Sequence, residues 1–102
     1  MKVYGFKENE EGIMQLENTL ETIQSFINGN MEQSTIADGL CIVYSGDNQS
    51  CMGKCKPNVA WFDNGEAVDV IYGNCFVCRI VNGNFSDIEE SDIQTVKKIL
   101  KK

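Results

Sequence analysis

Apolar and polar positions divide the 102-residue chain into short, alternating stretches. KVYGF, residues 2–6, is rich in strand formers and predicts a first strand, and the polar KENEEG after it predicts a connection. Leu16, Leu20, Ile23 and Ile27 recur at the spacing of one helical face, with Phe26 beside them. Asn18 and Glu21 fit a capping box at the start of that helix, and Asn28-Gly29 closes it. NMEQSTI, residues 30–36, predicts a strand, and ADG a turn. LCIVYS, residues 40–45, is nearly continuous in apolar character, as a buried central strand is. Residues 46–58 are polar and contain glycine, which predicts a loop or short irregular strands. VAWF, residues 59–62, and AVDVIY, residues 67–72, flank the turn DNG and predict a hairpin. NCFVCRIV, residues 74–81, predicts a further strand ended by Asn82-Gly83. Ser91 with Gln94 reads as a second capping box, followed by an apolar stripe of Ile93, Val96 and Leu100 with Ile99 alongside. Neither helix is apolar all round, so each should rest on a sheet with its other face wet. The fold class that follows is α+β, a mainly antiparallel sheet of four to six strands with two helices packed on one face.

The length fits a single domain over residues 1–102. Charge narrows the partners. Fifteen acidic against nine basic residues give a net charge of −6, which opposes general affinity for nucleic-acid backbones. The basic cluster Lys97, Lys98, Lys101 and Lys102 suits the negative end of a helix dipole. There is no transmembrane run, and the first residues lack the apolar region of a signal peptide, so no membrane role and a cytoplasmic location are expected. Five cysteines, in a reducing compartment, are expected as thiols without a structural disulfide.

The chain has no histidine, which removes Ser-His and Cys-His nucleophile pairs and imidazole metal ligands. GDNQSCMGKC only superficially resembles a phosphate-binding loop. Six residues separate Gly46 from Gly53 where four are required, and Cys55 stands where a hydroxyl should follow Lys54. Asp69 and Arg79 each interrupt an apolar strand and would meet if those strands paired, as a solvated ion pair or as a ligand-reading pair. Cys51, Cys55, Cys75 and Cys78 have a spacing that resembles a four-cysteine zinc site. Strand geometry opposes it: positions 75 and 78 fall on opposite faces, and no turn glycine follows either pair. On that reading Phe76, Cys78 and Ile80 share one face, and Cys75, Val77, Arg79 and Val81 the other.

Several stretches together resemble one family of small domains of unknown function, met mostly in phages, plasmids and mobile elements of Gram-positive and gut bacteria. They are LETIQSFINGNMEQSTIADGLCIVYS, GKCKPN, GEAVDVIYGNCFVC and SDIQTV, and they cover roughly residues 16 to 98. The family loop often continues Pro-Asn-Arg, whereas Val59 follows Pro57-Asn58 here. The resemblance implies an accessory protein rather than a core enzyme. With the small size, mild acidity and lack of a catalytic set, a non-enzymatic interaction protein serving counter-defence, with no cofactor, is expected. It would occupy a host or defence-system protein, or sequester a small nucleotide. Candidate contact residues are Asn58, Trp61, Asp69, Tyr72, Gly73 and Arg79. The alternative is a zinc-binding or thiol-based regulatory module on the four paired cysteines. A homodimer through an exposed strand edge is a further expectation.

Overall fold

The computed structural model describes residues 1–50 and 56–102. In chain order the elements are β1 (Lys2–Lys7), β2 (Glu10–Gln15), α1 (Leu20–Ile27), β3 (Met31–Ala37), β4 (Leu40–Ser45) and α2 (Gly46–Gln49). They continue with β5 (Pro57–Asp63), β6 (Glu66–Tyr72), β7 (Cys75–Val81), β8 (Asn84–Ser86), α3 (Asp92–Ile99) and β9 (Leu100–Lys101). The protein is α+β, and every strand pairing among the described residues is antiparallel.

The two long apolar runs are the centre of the larger sheet, whose order is β2-β1-β7-β4-β3. β8 also pairs with β7, beyond the point where β1 stops. Both faces of this sheet are covered, which explains why β4 and β7 are apolar without alternation. On one face Val3, Cys41, Val43, Phe76 and Cys78 pack under Ile23 and Ile27 of α1. On the other, Tyr4, Phe6, Leu40, Ile42, Cys75 and Val77 meet Val59, Ile71, Ile88, Val96 and Leu100. That second layer is a three-stranded sheet, β6-β5-β9, together with α3.

The antiparallel α+β class is therefore the predicted one, but the helices do not share a face. AVDVIY pairs only with β5 and leaves the main sheet, so a second sheet occupies the face that both helices were expected to cover. The polar segment read as a connection is partly strand. Glu10–Gln15 forms an edge hairpin with β1, and only Gly12 and Met14 of it are half-buried. α1 is capped by Thr19, whose hydroxyl accepts from the Thr22 amide at 3.2 Å, while Asn18 reaches the Phe85 carbonyl instead. Ser91 makes no side-chain cap to α3. α3 ends at Ile99, so Lys101 and Lys102 lie beyond the helix; Leu100 and Lys101 pair with Trp61 and Ala60. The expected hairpin is present, with Asn64 and Gly65 both at positive φ, as is a second turn at Asn82-Gly83. No helix among the described residues is long and apolar enough to cross a membrane.

Candidate functional site

Where β5 begins, its register with β6 shifts between Pro57 and Val59, leaving Asn58 as an extra residue. Such a bulge re-aims a side chain. Proline is tolerated in the first position of a strand because a missing N–H costs little there. The Asn58 carboxamide turns toward the main sheet. Its Nδ2 donates to the Phe6 carbonyl at 3.1 Å and to the Gly73 carbonyl at 2.8 Å, and its Oδ1 accepts from Lys102 Nζ at 2.8 Å. One side chain thus ties β1, the β6–β7 turn and the residue after β9.

The β6–β7 turn needs glycine for two reasons. Gly73 has φ 77°, and a Cβ there would collide with Nδ2 of Asn48. That Asn48 amide caps α1 by donating to the Ile27 carbonyl at 3.2 Å, and Asn74 does the same for Phe26 at 3.0 Å. Gln49 of α2 holds the end of β6, accepting from the Tyr72 amide at 2.7 Å and donating to the Val70 carbonyl at 2.9 Å. The turn is therefore fixed from both sides.

These residues line a cleft of about 580 Å³, formed by Glu8, Lys56, Pro57, Asn58, Gly73, Asn74 and Lys102. Lys102 Nζ donates to the backbone carbonyls of Lys7 and of Glu8, the latter at 2.7 Å. Lys56 pairs with Glu8 at 3.1 Å, but both side chains are largely exposed and the bond is readily exchanged for another anion. The cleft thus holds the Lys56 and Lys102 ammonium groups, the Glu8 carboxylate and the Asn58 and Asn74 carboxamides. Asn58 spends its donors on backbone carbonyls, and Lys102 spends its own on backbone carbonyls and on Asn58, so Lys56 and Asn74 keep the most free hydrogen-bonding capacity. That set suits a small anionic ligand with hydrogen-bonding edges.

The six predicted contact residues do not form one site. Asn58 and Gly73 meet in the cleft, and Tyr72 precedes the turn. Trp61 lies at the other end of β5, in a second groove of about 610 Å³ shared with Ile36, Phe62, Val68 and Ile99. Trp61 is half-buried and also packs against the core. Asp69 is exposed opposite Trp61, and its carboxylate accepts from the Val70 amide at 2.8 Å. The expected meeting of Asp69 with Arg79 does not occur, because β6 and β7 belong to different sheets. Arg79 instead grips Asp92 of α3 with two bonds, at 2.7 and 2.6 Å, and Glu89 at 3.0 Å. Burial alone would raise the Asp92 pKa, but these bonds and the Glu89 amide outweigh it and hold the carboxyl below its ordinary value. Arg79 is thus a structural tie between the main sheet and α3.

Cys75 and Cys78 lie in the cores on opposite faces of the sheet, so they cannot be two ligands of one zinc ion. Cys51 and Cys55 lie outside the described residues. Burial pushes the Cys75 thiol up to about 12, which makes it inert near neutral pH. Lys56, Asn74, Glu8 and Lys102 are not among the predicted contact residues, and Lys102 is predicted only as part of a basic helix end. The only signal was the proximity of Lys56 and Asn74 to the Pro-Asn and Gly motifs.

A family described as a domain of unknown function (DUF3846) matches residues 1–101. No curated protein and no solved structure matches the chain.

Proposed function

The chain belongs to the DUF3846 family of domains of unknown function, and from that footing we propose a binding protein, not an enzyme, whose cleft takes a small anionic ligand of the nucleotide class. The observation that carries this reading is the convergence of Lys56, Lys102, Asn58 and Asn74 around one cleft of about 580 Å³. That volume is typical of small-molecule sites. The ammonium groups answer phosphate charge, and Asn74, with one amide hydrogen and its oxygen unspent, can hydrogen-bond a base or sugar edge, while Asn58 holds Lys102 in place. The net charge of −6 disfavours long polyanions, so a free nucleotide is preferred to nucleic acid.

Sequestration of a signalling nucleotide needs no turnover. The resemblance to phage and mobile-element domains supports such a role as an accessory against host defence. A second reading has its own observation. Trp61 and Phe62 line a groove beside Val68, which is 56% exposed, and aromatic anchors carry much of the energy of protein interfaces. On that reading the partner is a host defence protein.

Titration calorimetry with mono-, di- and cyclic nucleotides, and with inorganic phosphate as control, separates the two. A nucleotide is expected to bind, and Lys102→Ala and Asn58→Ala to weaken it roughly tenfold or more, about 1.4 kcal/mol. Trp61→Ala should leave it unchanged. Silence across the panel at saturating concentration would overturn the nucleotide reading. Capture of a defence protein that Trp61→Ala abolishes would favour the second.

A further inference from the structure

We infer that Cys41 and Cys78 form a peroxide-sensitive dithiol that closes into a disulfide between the two central strands, β4 and β7. The inference is independent of the cleft. Cys41 and Cys78 are directly opposed in the β4–β7 register, and their sulfurs are 3.8 Å apart. Opposed residues in an antiparallel pair have Cα atoms about 4.5–5.5 Å apart. That separation lies inside the range of roughly 4.4–6.8 Å found across disulfides. Closing the bond, about 2.05 Å long, therefore requires side-chain rotation and no change of strand register.

Both thiols are buried, yet one has a route to solvent. Cys41 lines a small cleft of about 280 Å³ with Gln33, Thr35, Gly39, Leu40 and Ile80. A peroxide is small enough to enter. Cys75, on the opposite face, lines none of the clefts described above and is an internal control. The two thiols also differ. The hydrogen bond with Cys78 lowers the Cys41 pKa against the effect of burial, while the same bond and burial raise that of Cys78. Because Cys41 is the one that lines the cleft, it is the thiol placed to attack the peroxide, and Cys78 is the resolving thiol.

The steps balance with a peroxide as oxidant. The Cys41 sulfur attacks one peroxide oxygen and the O–O bond breaks. The departing hydroxide takes the proton that Cys41 gave up and leaves as water. Cys41 is then a sulfenic acid. The Cys78 sulfur attacks the Cys41 sulfur, the S–O bond breaks, and the hydroxide leaves as a second water with the Cys78 proton. The sulfur pair is oxidised by two electrons, and the peroxide is reduced by two.

The test uses the full chain with Cys51→Ser and Cys55→Ser, so that these two thiols do not compete. After treatment with hydrogen peroxide, free thiols are blocked and the unreduced digest is read by mass spectrometry. The expected result is a Cys41–Cys78 linked peptide, at least tenfold in excess over any link to Cys75, with the loss of two hydrogens per chain and reversal by dithiothreitol. Adding Cys78→Ser should stop the reaction at a Cys41 sulfenic acid that dimedone labels; Cys78→Ala serves if the serine variant does not fold. Links shared evenly with Cys75, or Cys41 driven to sulfinic acid without a link in the parent, would overturn the inference. If neither Cys78 variant folds, the parent experiment decides alone.

Discussion

Asp92 is buried, and a buried carboxylate is retained only where its charge is answered. Arg79 and the Glu89 amide answer it, and the folded state holds its pKa below the ordinary 3.8. Its contribution is complete above that value and is lost as pH falls through the lower, folded pKa. Asp92→Asn should therefore destabilise the protein by about 2 kcal/mol at neutral pH. The gap between wild type and variant should shrink as pH drops below 3.8, which chemical denaturation across that window would check. Tyr4 shows the opposite sign. Burial, and then the bond to Glu11 at 2.9 Å, push its phenol up to about 12. The stability tied to its neutral form is whole below pH 10 and is lost as pH rises through about 12. Ultraviolet titration should resolve one tyrosine ionising late, and Tyr4→Phe should remove that step. Phe76 is fully buried and meets Phe26 and Phe85 edge-on, at 5.9 and 6.5 Å. Phe76→Ala should cost about 3–5 kcal/mol, read from the denaturant midpoint.

At the scale of elements, the β6–β7 turn bears the most constraint. Gly73→Ala must place a side chain at positive φ, a cost of about 1–2 kcal/mol, and must also push Asn48 off the end of α1. Denaturant unfolding should show a loss beyond that backbone term, and ligand binding in the cleft should weaken in parallel. β4 and β7 were legible in the sequence because strands buried on both faces carry continuous apolar runs, here residues 40–43 and 75–78. β2 was not, because Glu10, Glu11, Ile13 and Gln15 on a sheet edge face solvent and the pattern reads as a connection. The partition into two sheets was also hidden. Nothing in AVDVIY distinguishes a strand beside β7 from one that turns away at Gly73, and the pairing of Asp69 with Arg79 failed for that reason. Of the cleft, Asn58 and Gly73 came from family-like motifs. Lys102 did not, since its position depends on β9 pairing with Ala60 and Trp61, remote in sequence.

At the scale of the whole molecule, charge and topology govern behaviour. The cleft lysines sit in a net charge of −6, so nucleotide affinity should fall as salt rises, through screening of the ligand phosphate. β7 is shared by β1, β4 and β8, and this sharing dictates an order of assembly. A nascent chain emerging from the ribosome cannot complete the main sheet while residues 75–81 are still unmade, because β1 and β4 have their inner edges empty until then. Pairings of such long sequence separation place refolding toward the slow end for small domains, on the order of milliseconds to seconds. Until β7 arrives, those two open edges are the segment of the polypeptide's history in which chaperone capture, or aggregation, has its opportunity.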